Sequence, residues 1–96
     1  MNNVQILKQM QKQHNEVRNN IEQLDALKLK CSTEIGTDID KKNYNKLLKN
    51  TLKTFKTLEM SYNMLIRQKI NFPPEFIEIG TEIKSFKDEL SSFKEF

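Results

Sequence analysis

The stretch Cys31-Ser32-Thr33-Glu34-Ile35-Gly36-Thr37-Asp38-Ile39-Asp40 decides the fold. Gly36 is one of only two glycines, and a helix-starting pattern follows it at once. A glycine suits the position just past a helix end, where a left-handed backbone carries no Cβ strain. Thr37 and Asp40 read as a capping box, in which the threonine hydroxyl accepts from the Asp40 amide and the aspartate accepts from the Thr37 amide. One helix is therefore expected to stop here and another to begin after a short connection.

Upstream of this turn, apolar residues recur at Leu7, Met10, Val17, Ile21, Leu24 and Cys31. With Leu7 at position a, all fall at a or d of a seven-residue repeat, and His14 and Lys28 fill the remaining a positions. This spacing predicts a helix over about residues 4–34, or about 45 Å at 1.5 Å per residue. Downstream, Tyr44, Leu47, Leu48, Leu52, Phe55, Leu58, Tyr62, Leu65 and Ile66 form a stripe that predicts a second helix over about 38–70. Two amphipathic helices of equal length, tightly joined, bury their stripes best as an antiparallel hairpin, here residues 1–71.

Phe72-Pro73-Pro74-Glu75 ends the second helix, because a residue before proline leaves the helical region and proline is well placed in the first turn of the next helix. The segment 72–96 then forms a C-terminal amphipathic helix, over about 74–95. Phe76, Ile83 and Leu90 are seven apart, as are Ile79, Phe86 and Phe93. Buried, those six side chains contribute on the order of 9–18 kcal/mol before chain entropy is set against them. The fold class is all-α: a long antiparallel helical hairpin plus a third amphipathic helix, as a three-helix bundle or a coiled-coil-like assembly subunit. The third stripe is dried in one of two ways, the first being folding back or docking in a hetero-oligomeric bundle and the second a homodimeric zipper. Glu75, Glu82 and Glu89 at g with Lys87 and Lys94 at e would suit a parallel zipper. Three heptads are short for one, however, and phenylalanine at a and d fits a larger bundle, so the first arrangement is preferred.

Composition bounds what the chain can do. Apolar residues make up 36% of the 96 and charged residues 30%, against about 45–50% apolar in an average globular domain. Narrow stripes on long helices fit that shortage; a compact sheet protein does not. The apolar run Met64-Leu65-Ile66 is far short of the ~20 residues that span a bilayer, and the polar, amphipathic Met1–Lys12 is not expected to act as a secretory signal. A single cysteine, Cys31, excludes an internal disulfide and points to an intracellular, reducing compartment, cytoplasm or nucleus.

Charge is uneven. Residues 36–71 carry eight Lys/Arg against three Asp/Glu, residues 72–96 three against six, and residues 1–35 five against four. An acidic third helix folding back onto a basic second helix is electrostatically consistent with this, and pairing between chains is the alternative. Within the second helix, Lys42, Lys46, Lys49, Lys53 and Lys56 line the side opposite the stripe and form the candidate polyanion face. No aromatic residue interleaves with them for base stacking, and arginine occurs only at Arg18 and Arg67, so nucleic acid is a weak candidate and a solvated face the plainer reading. Met60, Met64 and Ile70 add apolar surface off the main stripe, and a helix apolar on two sides is covered on two sides. Together with Phe76, Ile79, Ile83, Phe86, Leu90 and Phe93 they form the candidate partner interface.

Chemistry has little to stand on. His14 and Cys31 are seventeen residues apart, about 25 Å along one helix, too far for a nucleophile–base pair or a shared metal. His14 at an a position is expected to set register, Lys28 to snorkel out of the seam, and Cys31 to pack as a small apolar residue. Two lone glycines cannot make a phosphate loop. No cofactor and no catalytic residue is expected. The function that follows is a non-enzymatic structural or adaptor subunit, hetero-oligomeric rather than homodimeric, that assembles with other helical proteins. A polyanion binder acting through the lysine face, or a small helical chaperone, is the alternative.

Overall fold

The computed structural model describes residues 3–33, 36–68 and 73–95, and these form three helices: α1 Asn3–Cys31, α2 Asp38–Arg67 and α3 Pro74–Ser91. The all-α fold is the one expected. α1 and α2 pack most closely, as an antiparallel hairpin, and α3 lies back along it in a body 51 × 22 × 16 Å. No helix of the described residues is long and apolar enough to cross a membrane.

The capping box holds. Thr37 is extended, its hydroxyl accepts from the Asp40 amide at 3.2 Å, and its own amide donates to the Asp40 carboxylate at 3.1 Å. Lys30, in the last turn of α1, reaches the same carboxylate at 3.4 Å, so one aspartate ties the end of one helix to the start of the next. The Thr37 amide and hydroxyl, with Lys30 behind them, hold the Asp40 carboxyl below its usual range. Gly36 plays a different part from the one its position suggested. α1 ends at Cys31, not near residue 34; the Ser32 amide and hydroxyl still donate to the Lys28 carbonyl at 3.0 and 2.8 Å, and Thr33 tightens the turn by donating its amide at 3.2 Å and its hydroxyl at 2.8 Å to the Lys30 carbonyl three residues back. Gly36 is not in the left-handed region. Its glycine is required because a Cβ there would lie 2.6 Å from both the Cys31 Cα and the Lys30 carbonyl oxygen.

One seam runs through the molecule. From α1 it takes Met10, His14, Val17, Ile21, Leu24 and Cys31, and from α2 Tyr44, Leu48, Thr51, Phe55, Leu58 and Leu65. On α2 the inward positions step 4, 3, 4 and 3 from Tyr44 to Leu58, which excludes two apolar residues of the expected stripe and admits one polar residue. Leu52 and Ile66 are 43% and 44% exposed, while Thr51 is wholly buried. The threonine is tolerated because its hydroxyl donates to the Leu47 carbonyl at 2.7 Å.

α3 closes the seam with Phe76, Ile79, Ile83, Phe86 and Leu90, all buried. Its helix stops at Ser91, short of the expected residue 95, where the Ser91 and Ser92 hydroxyls turn to the Asp88 and Glu89 carbonyls at 2.7 and 2.6 Å. Phe93 lies past the helix end but stays in the core. It meets the Tyr44 ring edge-on at 6.4 Å, and the Lys28 ammonium lies 5.5 Å from its centroid. Burial there pushes the Tyr44 hydroxyl above its ordinary range, with the Lys94 backbone pulling the other way.

α3 settles more on α1 than on α2. α3 finds its closest ionic partners on α1; among the described residues Lys87 of α3 reaches Glu59 of α2 at 4.0 Å, and Glu95, past the end of α3, reaches Lys49 at 3.7 Å. At the crossing with α2, Gly80 leaves room for Tyr62, whose ring stacks on Phe76 at 4.9 Å. A Cβ on residue 80 would meet that ring at 2.6 and 2.8 Å. Gly80→Ala should therefore destabilise by about 1–3 kcal/mol through overpacking. In a Tyr62→Ala background the same change should be neutral or stabilising by up to ~1 kcal/mol, because alanine is the better helix former. Urea denaturation of the four variants checks this; an equal effect in both backgrounds contradicts the crossing.

Candidate interaction surface

The α3 stripe is not free surface. Phe76, Ile79, Ile83, Phe86, Leu90 and Phe93 are each at most 8% exposed within this one chain, so their apolar area is already spent on the hairpin. Of the candidate partner interface, Met60 and Met64 alone remain open, at 63% and 45% exposure; Ile70 lies outside the described residues. Within this one chain α3 does not cover these two methionines. α3 leans toward α1, and the methionines lie on the far side of α2.

Their position follows from helix geometry. Lys42, Lys46, Lys49, Lys53, Lys56 and Met60 each stand two residues before an inward-facing residue: Tyr44, Leu48, Thr51, Phe55, Leu58 and Tyr62. Two residues are about 200° of turn, so the inward spacing is copied onto the outward face. Met64 and Arg67 extend the same line. All five lysines are exposed, and among the described residues Lys49 alone has a carboxylate in ion-pair range, that of Glu95. Met60 and Met64, with Thr57, Ser61, Asn63 and Arg67, line an open depression of about 560 Å³ on this face. The outer face of α2 is thus one ridge, basic for five positions, then apolar, then basic again.

A polar latch holds α3 in place on the other side. His14 is 9% exposed and sits against the Phe86 ring at 5.4 Å. Its Nε2–H donates to the Glu82 carboxylate, which also takes the Arg18 guanidinium. The expected register role of His14 acquires a partner that sequence spacing did not reveal, since Glu82 lies 68 residues away. Cys31 is buried and free, and among the described residues no cluster of three or more His, Cys, Asp or Glu is placed to hold a metal ion.

No family model, curated protein or solved structure matches the chain.

Removing Glu82 alone leaves the His14 N–H buried without its acceptor, a loss of about 1–2 kcal/mol. Glu82→Ala should show that loss on chemical denaturation. His14→Leu with Glu82→Ala should recover most of it, because both polar partners then go together. Additive losses in the double variant would contradict the latch.

Proposed function

We propose that this chain is a non-enzymatic structural or adaptor subunit that joins other helical proteins in a hetero-oligomeric complex, and that it does so through the outer face of α2. The observation that carries this reading is the exposure of Met60 and Met64, 63% and 45%, on a chain with little apolar material and a core already closed by α3. Large apolar side chains one turn apart, on the face opposite the core and beside an open depression, form a small apolar patch that a partner can cover. Methionine is well suited to it, because an unbranched, polarisable side chain adapts to the shape that covers it.

A subunit role also fits the rest of the molecule. Two helices of about thirty residues give a rigid rod, useful for spacing and bracing. A polyanion reading draws on the lysines of the same ridge but leaves the methionines without a purpose. The free, buried Cys31 suits a reducing compartment of the cell.

Affinity purification from the native source, with the wild-type chain and with Met60→Ser/Met64→Ser, tests the proposal. The wild type should recover a helical protein in stoichiometric amount, and the variant should lose most of it with its thermal unfolding unchanged. Equal recovery by both, or recovery of nucleic acid in place of protein, contradicts the reading.

A further inference from the structure

The ridge on α2 carries more information than exposure alone. From Lys42 to Arg67 it runs Lys, Lys, Lys, Lys, Lys, Met, Met, Arg at residues 42, 46, 49, 53, 56, 60, 64 and 67. The steps are four or three residues throughout, and the line is about 37 Å long at 1.5 Å per residue. A line that advances by alternating threes and fours is one along which a second helix can lie, its own side chains entering the gaps at a shallow crossing angle. The charge on it has one sign. Five ammonium groups at one-turn intervals repel one another, and within the described residues the chain offers them only Glu95.

We infer that this ridge docks an acidic amphipathic helix of a partner protein, with carboxylates at three- and four-residue spacing opposite Lys42–Lys56 and large apolar side chains opposite Met60 and Met64. The inference rests on the subunit reading above and names the chemistry of the partner. Charge complementarity selects the carboxylates, and the collinear methionines select a helix with an apolar turn over a purely acidic tail. A nucleic-acid backbone would engage the lysines and leave the methionines in water. An anionic bilayer favours a broad apolar face flanked by basic residues, whereas here charge and apolar surface follow one another along a single line. A second copy of this chain fits poorly. The carboxylates of Glu75, Glu78, Glu82 and Glu89 flank a groove with Arg18 in it, and the exposed apolar residue on α3 is the lone Ile77.

The test uses the full chain and a synthetic helical peptide long enough to lie along residues 42–67, with glutamates at three- and four-residue spacing and a final turn of leucines. The peptide should bind, and raising the salt from low to several times physiological should weaken binding by about tenfold or more, as expected of exposed ion pairs. Lys46→Glu/Lys49→Glu/Lys53→Glu/Lys56→Glu should abolish binding with helicity retained. Met60→Ser/Met64→Ser should weaken it by about tenfold, as should leucine-to-serine changes in the peptide, through lost apolar burial. Tighter binding to phosphatidylserine vesicles or duplex DNA than to the peptide overturns the inference. So does equal binding of the serine peptide, or salt-sensitive self-association of the chain alone. If the native partner is recovered by wild type, lost by the methionine variant and kept by the lysine variant, the acidic-helix inference falls and the subunit reading stands.

Discussion

Each helix of this chain has one narrow apolar line to bury, and within the chain the three lines are dried against one another. That constraint comes from composition: with 36% apolar residues, spread at seven-residue intervals, no helix has a second broad face to spare. Closing three such lines on a common axis brings Leu24, Leu58, Phe86 and their neighbours into one core and forces everything else outward. The hairpin turn, the position of α3 and the lysine ridge are consequences. The capping box at Thr37 and Asp40 lets α2 start close to where α1 ends, so the two lines face each other from their first turns. α3 then drops into the remaining groove, and its register is set by the pairing of Glu82 with His14 and Arg18.

What was legible in the sequence was whatever depends on neighbours along the chain. The helix starts at Asp38 and Pro74 and the first five residues of the α3 stripe are local patterns, and they stand where the spacing puts them. What was not legible depends on contacts between helices. Thr51 is polar and so falls outside an apolar stripe, although it fills the step between Leu48 and Phe55; the spacing is the available signal. Gly80 carries no local sign of its role, because the reason for it is the Tyr62 ring on another helix. The pattern outruns α3 for a related reason: Phe93 keeps the seven-residue spacing and the burial of a helical residue after the helix has stopped at Ser91.

The candidate surface divides in the same way. Met60, Met64 and the lysine stripe follow from the helical period, and the structure leaves them exposed. The α3 stripe looked equally available, since an amphipathic pattern says that a face must be covered and not by what. Once α3 is seen to spend that face on its own hairpin, what stays exposed of the proposed interface is Met60 and Met64 on the outer ridge of α2. That ridge is a different kind of surface, mostly charge with a short apolar segment. Rim-like lysines of this sort direct encounter and orientation, and the buried methionine contact would supply much of the residence time.

α3 closes the core of its own chain. Hydrogen exchange on the isolated protein tests this most directly. The amides of Phe76–Leu90 should be protected to the same degree as those along the α1–α2 seam, and the protection should not change with protein concentration. Rapid exchange across α3 at low concentration, rising to protection only on self-association, would contradict it.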